Sequence, residues 1–179
     1  MIDLSVPPVP LLGFAAASGT GKTTLLKALI PLLGARGLRT GVIKHSHHCF
    51  EIDQPGKDSF ELRKAGASPV MISSARRRAI MMEWSEAREP DLATELNFLP
   101  YQELDLVLVE GFKQAPCNKI EVHRPSLGTR PIFLDDRRVI AVATDTAIHP
   151  TPGIPTLNLN QPDQIARYIV EHYLPRHGR

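Results

Sequence analysis

The stretch Gly13–Leu26, GFAAASGTGKTTLL, decides the fold. Prolines 7, 8 and 10 lead into an apolar run, Leu11 to Ala17, of the length and character of a short buried strand. A glycine-rich turn follows. From about Lys22 to Ala35 the pattern is helical, with Leu25, Leu26, Leu29, Leu32 and Leu33 on one side. Strand, glycine-rich turn and helix in that order are the context in which Ala16–Thr23, AASGTGKT, reads as a phosphate-binding loop. Gly19 and Gly21 let the backbone curl so that successive N–H groups face one anion. The new helix adds its unpaired N–H groups and the positive end of its dipole. Lys22 supplies a charge for the β- and γ-phosphates, and the Thr23 hydroxyl is a ligand for Mg²⁺. Ser18, Gly19, Thr20, Gly21, Lys22, Thr23 and Thr24 are therefore the candidates for holding a nucleotide. Ala16 stands where such a loop usually places its first glycine. Alanine fits there if its φ is negative, which is the expectation. Pro31, inside the helical pattern, is expected to kink or weaken the helix.

Beyond Gly37, RTGVIK (39–44) reads as a second strand, and residues 46–56 as a polar, histidine-rich loop. A helix is predicted at about 58–65, stopped by Gly66, then a strand pair, SPVMISS and RRAIMMEW, around Arg76. Residues 90–98 suggest another helix. LDLVLVEG (104–111) is almost wholly apolar, as a strand covered on both faces requires. NKIEVH (118–123) and VIAVATD (139–145) give two more strands, and 162–174 a closing helix. Alternating strands and helices predict an α/β fold of the P-loop NTPase type. Its sheet would be mostly parallel and flanked by helices, with an antiparallel extension near residues 67–84. Length predicts one nucleotide-binding domain over 1–179.

Three further constellations carry chemistry. In the strand LVLVEG, Glu110 ends a buried strand beside Gly111, at the carboxyl edge where ligand-facing residues of such sheets gather. It is a candidate Mg²⁺-side carboxylate, in place of the usual aspartate. Asp105 opens the same strand and belongs at the far edge.

The segment KHSHHCFEIDQPGKDSFE (44–61) opens with Lys44 and His45. His45, His47, His48 and Cys49 suit zinc or nickel by ligand type. Their spacing matches no closed structural site, which favours a polar loop near the phosphates. Asp53, Lys57 and Asp58 are candidates for a switch-like contact with Mg²⁺ or the γ-phosphate, Asp53 as a metal ligand and Asp58 as a catalytic group. With Glu61 three residues on, Asp58 reads equally well as a helix cap. Asp145, after VIAVAT, is open between two roles. It could accept the N1–H and N2–H₂ donors of guanine, or simply initiate a turn. No Asn-Lys-x-Asp guanine motif occurs in the chain.

A net charge of +2 gives no broad basic face, so nucleic acid is not an expected partner. Two cysteines in no CxxC pair argue for a reducing compartment. The N-terminal residues do not form a signal peptide, and no run is long and apolar enough for a bilayer. The expected location is the cytoplasm, away from membranes.

SGTGKTTLL, IKHSHH, GKDSFELRKAGA, LDLVLVEGFK, KIEVHR and VIAVATD occur in the order found in the MobB family of molybdopterin-guanine dinucleotide biosynthesis proteins, which this chain resembles from about residue 11 to 145. The resemblance implies a GTP-binding protein with weak GTPase activity at most. It would act as an adaptor for the MobA-type guanylyltransferase that attaches GMP to molybdopterin, and would form a homodimer by sheet extension. By matching positions, Gly19–Thr24 would hold phosphates; Lys22, Glu110 and Asp58 are the candidates for catalysis. Thr23 and Glu110 would hold Mg²⁺, and the segments 44–48 and 56–59 would border the nucleotide or a pterin phosphate. Some family members also carry alanine at position 16. Two enzyme classes compete. One is a small-molecule kinase or ATP-dependent ligase of the dethiobiotin-synthetase type, the other a metal-insertion GTPase.

Overall fold

The computed structural model describes residues 2–46 and 50–177. The packing divides the chain into two compact units, one of Met1–His45 with Asp91–Arg179 and one of Ser46–Pro90.

The first unit is built on a six-stranded parallel sheet. In chain order its strands are β1 (Leu11–Ala16), β2 (Thr40–Lys44), β5 (Leu106–Glu110), β6 (Asn118–His123), β7 (Val139–Thr144) and β8 (Thr156–Asn158). In space the order is β2-β5-β1-β6-β7-β8. The segment after β1 returns beyond β5 to β2, and the segment after β5 returns beyond β1 to β6. Connections thus leave the adjacent strands β1 and β5 in opposite directions, which opens a crevice at their carboxyl ends.

Period-two alternation sends the two faces of each strand to different cores. Leu12, Phe14 and Ala16 of β1 and Leu106 and Leu108 of β5 join Leu25, Leu26, Leu29 and Leu33 of helix α1 (Lys22–Gly34). Leu11, Val107 and Val109 face the other way, onto Leu92 and Leu96 of helix α3 (Leu92–Leu96). The result is three layers, helix on sheet on helix. Leu29 is completely buried, so Leu29→Ala is expected to cost about 2–5 kcal/mol in a urea titration.

Pro31 does not end α1. It lies on the exposed side, three residues before the helix stops, and its carbonyl still accepts the Ala35 N–H at 2.9 Å. The carbonyl that Pro31 leaves without a backbone donor belongs to Lys27, an exposed residue. The closing helix α4 (Pro162–Tyr168) widens into a π-helical turn at Ile169–Tyr173 and continues through Leu174–His177. That wider turn leaves both Ile169 and Tyr173 buried, and the Tyr173 hydroxyl donates to the Leu11 carbonyl at 2.7 Å. The short edge strand β8 and the π-helical turn have no counterpart in the sequence expectation.

One face of β6 carries charge rather than apolar bulk. Lys119 is 2% exposed, and its Nζ donates to Asp136 at 2.9 Å and to the carbonyls of Ala115 and Cys117 at 3.0 and 3.3 Å. Burial pushes the Asp136 carboxyl upward, but the Arg138 N–H and the Lys119 ammonium outweigh it and hold it below its ordinary 3.8. The unfolded chain therefore takes up this proton more readily than the native one. The stabilisation is complete above the unfolded value and is lost as pH falls through the lower native value. Urea midpoints are expected to be level down to about pH 5 and to fall below about pH 4. The fall should be shallower in Asp136→Ala.

The second unit holds helix α2 (Asp58–Lys64) and an antiparallel pair, β3 (Val70–Ser73) and β4 (Arg78–Met81). The pair is a separate two-stranded sheet. Arg63 bridges Glu51 and Glu83 and ties the unit's ends to α2. Met71, Ile72 and Ile80 are exposed on the pair. Among the described residues no helix is long and apolar enough to cross a membrane.

Candidate functional site

β1 ends at Ala16, and the chain turns through residues 17–21 before α1 begins. Gly19 and Gly21 supply the turn, with φ of +79° and +93°. No described non-glycine residue has a positive φ, so Ala16 meets the condition set for it. A Cβ added at Gly19 would meet nothing within 4 Å, which leaves that side of the loop open to a ligand. Thr20 is buried, and its hydroxyl braces the loop by donating to the Ala17 carbonyl at 3.0 Å. Gly21 caps α1 without a side-chain bond, and no acid occupies the first turn. The first N–H groups and the positive dipole end are thus available to an anion. Ser18, Gly19, Thr23 and Thr24 are exposed on this loop and turn.

Glu110 ends β5 in register with Phe14 on one side and Lys44 on the other. It is nearly buried, not a solvated residue beyond the strand. Its Oε1 lies 3.5 Å from the Lys22 Nζ and 3.7 Å from the Lys44 Nζ. The strand pairing therefore brings together the P-loop lysine, the β5 carboxylate and the last residue of β2. Gly111 follows with φ +89°, and a Cβ there would fall 2.7 Å from the His45 carbonyl. The Glu110 carbonyl in turn accepts the His45 N–H at 2.8 Å, and the His45 ring lies 5.3 Å from that of Phe112. Gly111→Ala combines a strained backbone with a backbone clash. An expected loss of at least about 1–3 kcal/mol in urea unfolding follows, with weakened nucleotide binding because Glu110 is displaced.

Beside the loop runs a shallow cleft between Lys22 and Gly111, floored by β1 and reaching Lys113 and Lys119. On the other flank, Arg124 follows β6 and Asp145 follows β7. Arg124 Nε donates to the Thr20 carbonyl at 2.8 Å, and its Nη1 to the Asp145 carboxylate. Arg124 was not singled out from sequence, although a cation directly after a carboxyl-edge strand is a signal for this crevice.

Asp53 and Asp58 belong to the second unit. Asp53 Oδ1 accepts from the Ser59 hydroxyl at 3.0 Å, while its buried Oδ2 has no hydrogen-bond partner. Asp58 lies in the first turn of α2 rather than at its cap. The capping residue is Lys57, which makes no side-chain bond, so Asp58 and Glu61 act on the helix dipole instead. Of the histidine-rich cluster, His47, His48 and Cys49 lie outside the described residues. Among the described residues no three His, Cys, Asp or Glu side chains converge on a metal position.

The donors present fit a nucleoside triphosphate with Mg²⁺. An uncapped helix start and an open glycine loop receive phosphate. Two lysines sit within ionic reach of a single carboxylate, an excess of positive charge that an anion would balance. A carboxylate and an exposed threonine hydroxyl are hard oxygen ligands, and Mg²⁺ characteristically draws its remaining ligands from phosphate and water.

Known proteins resemble this chain over most of its length. Residues 11–145 match the family described as molybdopterin guanine dinucleotide synthesis protein B. The chain is 47% identical over 171 residues to the molybdopterin-guanine dinucleotide biosynthesis adapter protein of Escherichia coli, covering 95% of this chain and 97% of that protein. Against the adapter protein of Haemophilus influenzae the identity is 43% over 174 residues, covering 95% and 93%. A crystal structure of molybdopterin-guanine biosynthesis protein B superposes with a TM-score of 0.67 at 28% identity, covering 89% of this chain and 97% of that one. The loop, the paired lysines and Glu110 all fall inside the matched span, and the chain belongs to the MobB family.

Proposed function

We propose that this chain binds GTP with Mg²⁺ in the crevice between β1 and β5, and in that state serves as an adapter in molybdopterin guanine dinucleotide biosynthesis. The observation that carries the proposal is the Lys22–Glu110 pair at the mouth of an open glycine loop, within the family match. Phosphate entering the loop draws Lys22 away from Glu110, since a phosphate oxygen in the helix-dipole field is the stronger anion for it. Glu110 is then freed to face a cation, and Thr23 lies in the first turn of α1. Mg²⁺, when bound, would neutralise the β- and γ-oxygens. Lys44, last in β2, remains as the second positive charge at Glu110.

The adapter would present this loaded surface to a MobA-type guanylyltransferase, with molybdopterin as the substrate they share. Hydrolysis would be incidental and slow, with a kcat below the ~1 s⁻¹ at which ordinary enzymes begin. A homodimer is supported by the exposed Met71, Ile72 and Ile80 on the β3–β4 pair. Light scattering after size exclusion should give twice the chain mass, and a monomer at micromolar concentration would refute the dimer.

Sedimentation of the chain with a MobA-type guanylyltransferase tests the adapter role. Complex formation should be stronger with GTP and Mg²⁺ than without nucleotide. Equal association in both conditions would refute a nucleotide-dependent adapter.

A further inference from the structure

We infer that Arg124 is a positioning residue for the phosphate loop, and that Asp145 works through Arg124 rather than on the nucleotide base. The inference rests on nucleotide binding at the loop, as proposed above. Three neighbouring strands set it up. Ala16 of β1 is in register with Val122 of β6, and His123 of β6 with Thr144 of β7. The segments leaving β1, β6 and β7 consequently emerge side by side at the carboxyl edge. Arg124 spans all three, with Nε on the Thr20 carbonyl at 2.8 Å and Nη1 on Asp145. A Cβ at Gly21 would lie 3.7 Å from its Nη2, so the guanidinium occupies the space beside the loop's last glycine as well.

The consequence for the loop follows from peptide geometry. Within one trans peptide unit the C=O and the following N–H point in opposite directions. By holding the Thr20 carbonyl, Arg124 fixes the direction of the Gly21 N–H and turns it away from itself. The Thr20 hydroxyl, bound to the Ala17 carbonyl, fixes the same turn from the other end. Glycine on either side leaves the backbone here otherwise free to rotate, so a bond at this carbonyl is where the loop's shape is decided.

The Asp145 carboxylate is committed on both oxygens, one to Arg124 and the other to the Thr146 hydroxyl at 3.3 Å. It orients the guanidinium, whose planar fork engages carbonyl and carboxylate at once. Arg124 is 31% exposed, so without Asp145 it has room to swing away from Thr20.

The test measures dissociation constants of Mg²⁺-GTP, Mg²⁺-ATP and inorganic tripolyphosphate, for the wild type, Arg124→Ala, Arg124→Lys, Asp145→Asn and the Ala/Asn double variant. Circular dichroism confirms that each variant is folded, so that lost stability alone leaves the constants unchanged. Arg124→Ala and Asp145→Asn are each expected to weaken all three ligands by a common factor of ~10–100, the worth of a charge-assisted hydrogen bond. The double variant should be no weaker than Arg124→Ala, because both changes break one relay. Arg124→Lys should recover part of the loss, since an ammonium still reaches one acceptor.

Loss of GTP binding alone in Asp145→Asn would make Asp145 a base reader and overturn the inference. Unchanged constants in Arg124→Ala would overturn it too. The outcome is separable from that of the binding proposal. Wild type that binds none of the three ligands refutes both. Wild-type binding that Lys22→Ala abolishes upholds the site whatever Arg124 does.

Discussion

Lys22→Ala is expected to weaken Mg²⁺-GTP binding by about 30- to 4000-fold, read by fluorescence anisotropy of a labelled nucleotide. The range corresponds to about 2–5 kcal/mol for removing one partner from a largely desolvated charge pair. Lys22 opens α1 directly after the loop, and its side chain is only 20% exposed. It pairs with Glu110, so its loss leaves that carboxylate with Lys44. The fold should survive, because Lys22 lies in the first turn of α1 and none of the leucines of that helix's core changes. Retained affinity in a folded variant would show that the glycine loop is not the phosphate site. Glu110→Gln gives a complementary result. It keeps the shape of the strand end but removes the charge, and should blunt the difference in affinity with and without Mg²⁺.

A large effect on stability is expected at Asp136. Asp136→Ala leaves the Lys119 ammonium buried with only two backbone carbonyls for company. Breaking a buried pair from one side costs about 3–5 kcal/mol, whereas replacing both partners by apolar groups is often neutral. Asp136 is itself 19% exposed, which places the expectation at the lower end of that range. Urea unfolding of Asp136→Ala and of the Lys119→Met/Asp136→Ala double variant separates the two. The single variant should be the less stable. If instead the double variant is the weaker, Lys119 contributes through its pair with other groups and not as an orphaned charge.

Most of the fold was legible because its signals are local. The apolar runs of β1, β5, β6 and β7 are long enough to stand out, and the leucines of α1 keep helical spacing up to the chain turn at Gly34 and Gly37. What escaped is short or depends on distant partners. β8 has three residues and exists through its pairing with β7. The π-helical turn follows from where Tyr173 must reach, the carbonyl of Leu11 far away in sequence.

The site divides the same way. The loop, Lys22, Thr23 and Glu110 could be read from residue type and their position at strand ends. Lys44 pairs with Glu110 only because β2 and β5 are neighbours in the sheet, an adjacency that no spacing encodes. Arg124 was passed over because its importance lies in a backbone carbonyl more than a hundred residues earlier. Asp145, open from sequence between base reader and turn residue, pairs with Arg124 for the same reason.

The most direct test is a calorimetric titration of the wild-type chain with GTP and with ATP, each with and without Mg²⁺. Saturable binding of GTP, one per chain, tighter than ATP and weakened when Mg²⁺ is chelated, is the predicted result. Absence of GTP binding, or ATP binding as tightly as GTP, would contradict the assignment of this crevice to a guanine nucleotide.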